Sequence, residues 1–322
     1  MLNVAMLSRW HVHADGYADM LRKTGKVNIC AVWDEDPVRG ADWANKLGVP
    51  FYANLDTLLS QSDADAVCCC TPTTMHREVL IKAAKAGKHI FSEKAMATTV
   101  EDCLAIADAV EKNGVVFMLS MPHKCRKDVL FIKKCIDNGD FGDVTLIRIR
   151  NAHNGISGKW LPSYWFDESA AGGGAMMDLG CHPMYLLSMF LGKPKNYAAI
   201  YSSPFGTPVD ENAAALIEFE NGATGVSETS FVSYSSPNII EVHGTKGVLI
   251  STDGNVQFKN WKTAEYQNGF ITPALPQSLP EPICMFPDVC LSGSPSPEDF
   301  GTKAGIELTR LLEETYKVNA SK

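Results

Sequence analysis

Short apolar runs alternate with helix-like stretches over the first 120 residues of this chain. Residues 4–7, 27–32, 66–70, 89–91 and 115–119 are runs of strand type, and 50–52 is a weaker sixth. Helical patterns lie between them. The pattern over 77–86 is closed by Gly87. The one over 100–113 is preceded by Thr98-x-x-Glu101, which has the capping-box spacing, and is followed by Gly114. Strands that alternate with helices of this length are joined by right-handed crossovers. They predict a parallel sheet covered on both faces, which accounts for strands that are apolar throughout. The reading is an N-terminal doubly wound α/β domain of the Rossmann kind.

After about residue 122 the rhythm changes. A helix pattern over 129–138 and a strand over 144–150 lead through a glycine run to a continuous helix predicted over 175–191. Strand patterns then follow one another: 212–219 and 224–231, joined by the hairpin signal Asn221-Gly222, and then 239–243 and 248–251. Strands in succession predict a mainly antiparallel open sheet in a second α/β domain. The proline-rich stretch 272–297 reads as an irregular ordered arm, and a helix over 297–316 ends the pattern. The division is therefore 1–121 for the first domain and 122–322 for the second, which would bind substrate and support oligomerisation.

Composition narrows the class. A length of 322 residues suits two domains, and an apolar fraction of 45% with 20% charged residues is that of a folded globular protein. Lys and Arg number 29 against 37 Asp and Glu, without a basic run, so no nucleic-acid partner is expected. The apolar start runs at once into Arg9, His11 and His13, and no 18-residue apolar stretch occurs, so the expected location is the cytoplasm, away from membranes. Of ten cysteines, Cys68, Cys69 and Cys70 are consecutive inside a strand pattern, which predicts reduced core thiols.

Ligands of an open parallel sheet sit beyond the carboxyl ends of its strands. The first strand is followed by Ser8-Arg9-Trp10-His11-Val12-His13, where a dinucleotide fingerprint would carry glycines. A helix N-terminus still offers free N–H groups there, and Ser8 and Arg9 could add donors to phosphate. Asp34 ends the second strand. It could accept from both ribose hydroxyls and repel a 2′-phosphate, favouring NAD over NADP, or it could merely cap the next helix. His11 and His13 lack a Cys-x-x-Cys pair and an evident carboxylate third ligand, so no metal site is expected.

The run Thr71-Pro72-Thr73-Thr74-Met75-His76, followed by Ala86-Gly87-Lys88-His89-Ile90-Phe91-Ser92-Glu93-Lys94, resembles the glucose–fructose oxidoreductase, inositol dehydrogenase and rhizopine-catabolism (Gfo/Idh/MocA) family. So does Gly172-Gly173-Gly174-Ala175-Met176-Met177-Asp178-Leu179-Gly180-Cys181-His182, which is similar to that family's Gly-Gly-Gly-x-x-x-Asp-x-Gly-x-His. One departure is Ala95, where the family's Glu-Lys-Pro places proline.

The resemblance implies NAD as cofactor, contacted by Ser8, Arg9, Trp10, His11, Asp34, Thr71, Pro72, His76, Glu93 and Lys94. It implies a catalytic set of Lys94, Asp178 and His182. The i, i+4 spacing of Asp178 and His182 on one helix would let the carboxylate orient the imidazole as a general base, although a surface pair has the same spacing. Lys94 would supply positive charge where alkoxide character develops. His123 and Lys124, with Arg126, would form a basic substrate-contacting segment. His153, Trp160, Tyr164 and Trp165 could stack on a sugar or belong to the core.

The implied activity is hydride transfer between NAD and a hydroxyl carbon of a sugar, cyclitol or related polyol. Glycoside cleavage or epimerisation on a recycled NAD, and a non-catalytic NAD-binding sensor, are the alternatives. Homodimer or homotetramer assembly is expected.

Overall fold

The computed structural model describes residues 1–262 and 267–320. They form two compact units. The first takes in Met1–Ser120 and Pro280–Thr309, so residues 280–309 pack with the first unit and not, as a division at 121 has it, with the second.

The first unit contains β1 (Leu2–Leu7), α1 (Ala14–Lys23), β2 (Val27–Trp33), α2 (Pro37–Leu47), β3 (Phe51–Tyr52), α3 (Leu55–Gln61), β4 (Ala66–Cys69), α4 (His76–Lys85), β5 (His89–Ser92), α5 (Val100–Asn113) and β6 (Phe117–Leu119). Its parallel sheet runs β3-β2-β1-β4-β5-β6, with Leu7 beside both Trp33 and Cys69. The chain starts in the middle, works outward to β3, and returns across β1 to β4. That reversal opens a crevice beyond the ends of β1 and β4, which is where ligands of such sheets bind.

Local chemistry sets the helix ends. Asp36 caps α2 by accepting from the N–H groups of Val38 and Arg39 at 2.9 and 3.1 Å, with Pro37 in the first turn. Thr99, one residue beyond the predicted box, caps α5 through the Asp102 N–H at 3.1 Å, and Gly114 closes it at φ 61°. The proline-rich arm is only partly irregular, because Pro282–Ser292 is a helix. Pro282 sits in its first turn, where no N–H partner is missing, and the buried Ile283 and Phe286, three residues apart, hold it to the core. Phe286 packs on Phe91 with ring centroids 5.8 Å apart.

The second unit, Met121–Leu279 and Arg310–Lys322, carries α6 (Lys127–Asp137), β7 (Val144–Ala152), α7 (Glu168–Ala171), α8 (Ala175–Asp178), α9 (Cys181–Leu191), β8 (Pro194–Ser202), β9 (Asn212–Phe219), β10 (Thr224–Ser230), β11 (Ile239–Gly244), β12 (Gly247–Thr252) and β13 (Asn255–Asn260). Its sheet order is β13-β12-β11-β7-β10-β9-β8, antiparallel except for β7 with β10. β8 carries too little apolar alternation to stand out in the sequence, and β13, which alternates Val256 and Phe258 with polar residues, is only six residues long. The inner face, with Ile147, Ile149, Ala215, Ile217 and Val242, is buried. The ten cysteines are thiols, seven of them buried.

Candidate active site

Five loops of the first unit leave the ends of its strands together. Ser8 follows β1 at φ 68°, the left-handed conformation that a fingerprint glycine would supply. Its Oγ accepts the Trp10 N–H at 3.0 Å, which gives a non-glycine residue a local hydrogen bond in that turn. Arg9 turns to Asp15, with Nη2 at 2.6 Å.

Asp34 is engaged by the protein's own donors. It is buried, and its two oxygens accept from the Arg9 N–H at 2.8 Å, the Asp36 N–H at 2.8 Å, Arg39 Nε at 3.0 Å and Arg39 Nη2 at 2.6 Å. Four donors fill the lone pairs of a carboxylate, so none remains for a ribose hydroxyl. Nor does Asp34 cap α2, since Asp36 does. Glu35, its neighbour, shares Arg39 at 2.5 Å and keeps a buried Oε2 without a hydrogen-bond partner. Burial and the charge of Asp34 push its pKa up. That orphaned acceptor beside the crevice suits a ribose hydroxyl and is a point of fit for a dinucleotide.

His76 is also buried. Its Nδ1 lies 2.8 Å from the Ala95 carbonyl and its Nε2 3.2 Å from that of Thr71. Burial holds its pKa down, so the neutral ring donates on the shorter contact and ties the Thr71-Pro72 loop to the segment after β5. The Lys94–Ala95 peptide is cis.

Glu93 is fully buried. Its Oε1 accepts from Tyr17 Oη and lies 2.8 Å from His13 Nδ1 and 3.5 Å from His11 Nδ1, while Oε2 accepts the Lys94 N–H at 2.9 Å. Burial alone would raise its pKa, but the neighbouring His11 and His13 charges outweigh that and hold it well below the usual carboxylate range. Tyr17, pushed up by burial and by Glu93, stays protonated and also reaches Ser120 Oγ at 2.7 Å. The carboxylate missing from the sequence reading of His11 and His13 is therefore supplied by Glu93, 80 residues away along the chain.

In the second unit, α8 stops at Asp178 and α9 starts at Cys181, so the continuous helix expected over 175–191 is broken at Leu179-Gly180. Leu179 and Gly180 keep right-handed helical dihedrals, and Pro183 has no N–H to give the Leu179 carbonyl, so the interruption is one of hydrogen bonding; a Cβ on Gly180 would meet Met176.

His182 is buried, with Nδ1 2.8 Å from Tyr185 Oη, and its ring stacks on His123 at 4.2 Å and 23°. Tyr185 Oη also accepts the His123 N–H at 3.1 Å. Burial holds the tyrosine well above its ordinary pKa, as a neutral hydroxyl. Lys124 Nζ lies 6.0 Å from the centroid of the Tyr185 ring. Tyr185 was missed by the sequence reading, although its signal is the i, i+3 step from His182 along α9.

The other candidates divide by burial. Trp165 is buried, whereas Tyr164 and Trp160 are exposed. His153 stacks on Phe231 at 5.2 Å and accepts the Gly155 N–H at 3.0 Å.

The glycine run has a packing cause. Asp210, half-buried, accepts from the N–H groups of Gly174 and Met176 at 2.8 and 2.7 Å and from Tyr316 Oη at 2.6 Å, which satisfies the start of α8. A Cβ on Gly174 would collide with the Asp210 backbone. Gly174→Ala is expected to cost about 1–3 kcal/mol as an overpacking change. It should read as a lower urea midpoint at unchanged slope, and an unaltered midpoint would show that this contact yields freely.

No helix among the described residues is long and apolar enough to cross a membrane. Residues 9–121 match the oxidoreductase family NAD-binding Rossmann fold, and residues 129–250 match the GFO/IDH/MocA C-terminal domain. Levoglucosan dehydrogenase of Pseudarthrobacter phenanthrenivorans is 28% identical over 245 residues, which is 67% of this chain and 63% of that protein. The 2,7-anhydro-N-acetylneuraminate hydratase of Escherichia coli is 28% identical over 66% of this chain and 58% of its own length. The chain thus aligns with less than two thirds of either relative. A solved structure of levoglucosan dehydrogenase with NADH and levoglucosan superposes with a TM-score of 0.86 at 22% identity, covering 99% of this chain and 97% of that one, a likeness of fold. With both of its domains matched in order over residues 9–250, the chain belongs to the GFO/IDH/MocA oxidoreductase family and carries that family's NAD-binding Rossmann domain.

Proposed function

We propose that the protein is an NAD-dependent dehydrogenase of a sugar, cyclitol or related polyol. The observation that carries this reading is the His182–Tyr185–His123 arrangement. Nδ1 of His182 pairs with the neutral Tyr185 hydroxyl, which fixes the ring and leaves Nε2 as the atom that meets substrate; the role of base needs the tautomer with its proton on Nδ1. His182 takes the proton of the substrate hydroxyl. Tyr185, in place of Asp178, orients the ring through Nδ1. Asp178, half-buried at the end of α8, adds negative charge four residues away in sequence. Lys94 polarises the substrate oxygen, and His123 and Lys124 bind substrate hydroxyls, with His153 and Tyr164 as further contacts. Bound NAD supplies the hydride acceptor.

On the cofactor side, Glu35 accepts the ribose hydroxyls and Asp34 braces the turns around it. Arg39 stands between two carboxylates, so the local balance is one net negative charge and disfavours a 2′-phosphate.

Purified protein incubated with NAD and a panel of sugars, cyclitols and glycosides should release NADH in stoichiometric amounts with at least one polyol. A glycoside consumed without net NADH would favour a recycled cofactor, a reading that the hydratase relative keeps in view. Silence across the panel, with NAD bound, would point to a sensor.

The outer face of the second sheet supports self-association. By register, Ile200 and Leu216 share that face with Arg148, Arg150, Glu228 and Glu241. Ile200 is 68% exposed and Leu216 51% exposed, beside an ion-pair cluster in which Arg148 Nε reaches Glu228 at 2.8 Å and Nη1 reaches Glu241 at 3.1 Å. A sheet face with exposed aliphatic side chains gains by pairing with a second copy. Light scattering at micromolar concentration should give twice or four times the 35.1 kDa chain mass, and a mass of one chain would refute the assembly.

A further inference from the structure

We propose that His11, His13 and Glu93 form a binding site for one first-row divalent transition metal of the zinc type, held in the turn after β1. Each residue offers one ligand atom, and the three atoms lie within 4.8 Å of one another. Two imidazoles and one carboxylate are a donor set suited to zinc and its neighbours and too rich in nitrogen for calcium or magnesium.

The spacing is close to what a metal needs. Bonds of about 2.0–2.1 Å at tetrahedral angles place ligand atoms about 3.3 Å apart. His11 Nδ1 and Glu93 Oε1 are already 3.5 Å apart. The His13 Nδ1 contact, at 2.8 Å, is a hydrogen bond in which a proton occupies the place of the metal. Loading the site exchanges that proton and opens the contact by roughly half an ångström. His13 can move by that amount, because its side chain is 49% exposed whereas those of His11 and Glu93 are 3% and 1% exposed.

The His13 backbone N–H lies 3.2 Å from His11 Nδ1, a weak contact that a metal would replace. A second layer of contacts holds the ligands. The His11 N–H donates to the Cys70 carbonyl at 3.1 Å, Tyr17 Oη donates to Glu93 Oε1 and contacts Ser120 Oγ, and the Lys94 N–H holds Oε2. Three protein ligands leave at least one position open, on the exposed His13 side, for a water or a phosphate oxygen. The inference concerns metal binding alone and does not depend on the dehydrogenase reading.

The test uses the full chain, stripped with a chelator, dialysed, and titrated with Zn²⁺ against a chromophoric competitor without NAD. One equivalent should bind. His13→Ala, which removes a half-exposed ligand from a folded turn, should weaken binding by at least the roughly 10- to 100-fold associated with lost supporting contacts around a metal. Circular dichroism checks its fold, and Glu93→Gln should lose zinc similarly. Co²⁺ in place of Zn²⁺ should give visible bands of nitrogen and oxygen ligation, without thiolate charge transfer. Failure to bind zinc, unchanged affinity in His13→Ala, or a thiolate band from the cysteines would each overturn the site.

Discussion

His182→Ala lowers turnover by roughly the 10²–10⁴-fold typical of a lost acid–base group, while NAD affinity, set by the other unit, changes little. The size follows from the chemistry. Without a base, the substrate hydroxyl keeps its proton as hydride departs, and a protonated carbonyl product is the cost. Tyr185→Phe tests the orientation separately. It removes the hydroxyl that meets His182 Nδ1 and leaves the His123 N–H without that acceptor. A smaller loss is expected, about tenfold for one hydrogen bond of about 1.4 kcal/mol, together with a displaced pH–rate profile. If His182 and Tyr185 only hold α9 together, both variants melt earlier yet turn over normally at low temperature. Measuring turnover, NAD affinity and melting temperature on the same samples distinguishes these outcomes, and undiminished turnover in His182→Ala defeats the proposed mechanism.

The parts that were legible in the sequence are those governed by short-range periodicity. The strands of the first sheet are runs of buried residues with caps at fixed offsets, so their order follows from spacing and handedness. The family motifs single out Lys94 and His182 as candidates because those residues follow recognisable neighbours. What sequence spacing cannot supply is the partner across a loop. Tyr185 was hidden because a tyrosine in an apolar helix looks like core. Glu93 was not connected with His11 and His13 because four strands, β2 to β5, intervene before the chain returns to the same sheet edge. The interruption at Leu179-Gly180 is local, since Pro183 has no N–H for the Leu179 carbonyl, and a continuous apolar pattern across it hid the proline's effect. The helix Pro282–Ser292 was missed for a different reason, because proline count masked an apolar i, i+3 pair that the first unit buries.

Asp34 gives the second large effect, on stability. A carboxylate with no exposed side-chain surface holds together the turn after β1, through the Arg9 N–H, and the turn after β2, through the Asp36 N–H and both guanidinium contacts of Arg39. Asp34→Ala leaves two backbone donors without this acceptor and Arg39 with only Glu35. Breaking one partner from a buried pair costs about 3–5 kcal/mol, and because Arg39 is partly exposed the expected loss lies near about 3 kcal/mol. The melting temperature should fall markedly even in the absence of NAD. Asp34→Asn retains one acceptor oxygen but weakens the Arg39 contacts, so it should fall between wild type and alanine. Had Asp34 served the ribose instead, the apo protein would keep its stability and only the choice between NAD and NADP would loosen. Glu35→Gln carries that second signature here. It keeps the fold, since the amide oxygen still accepts from Arg39, and it should reduce discrimination against NADP by removing one of the two charges flanking Arg39. Equal melting of Asp34→Ala and wild type, with altered NADP binding, would return the ribose to Asp34.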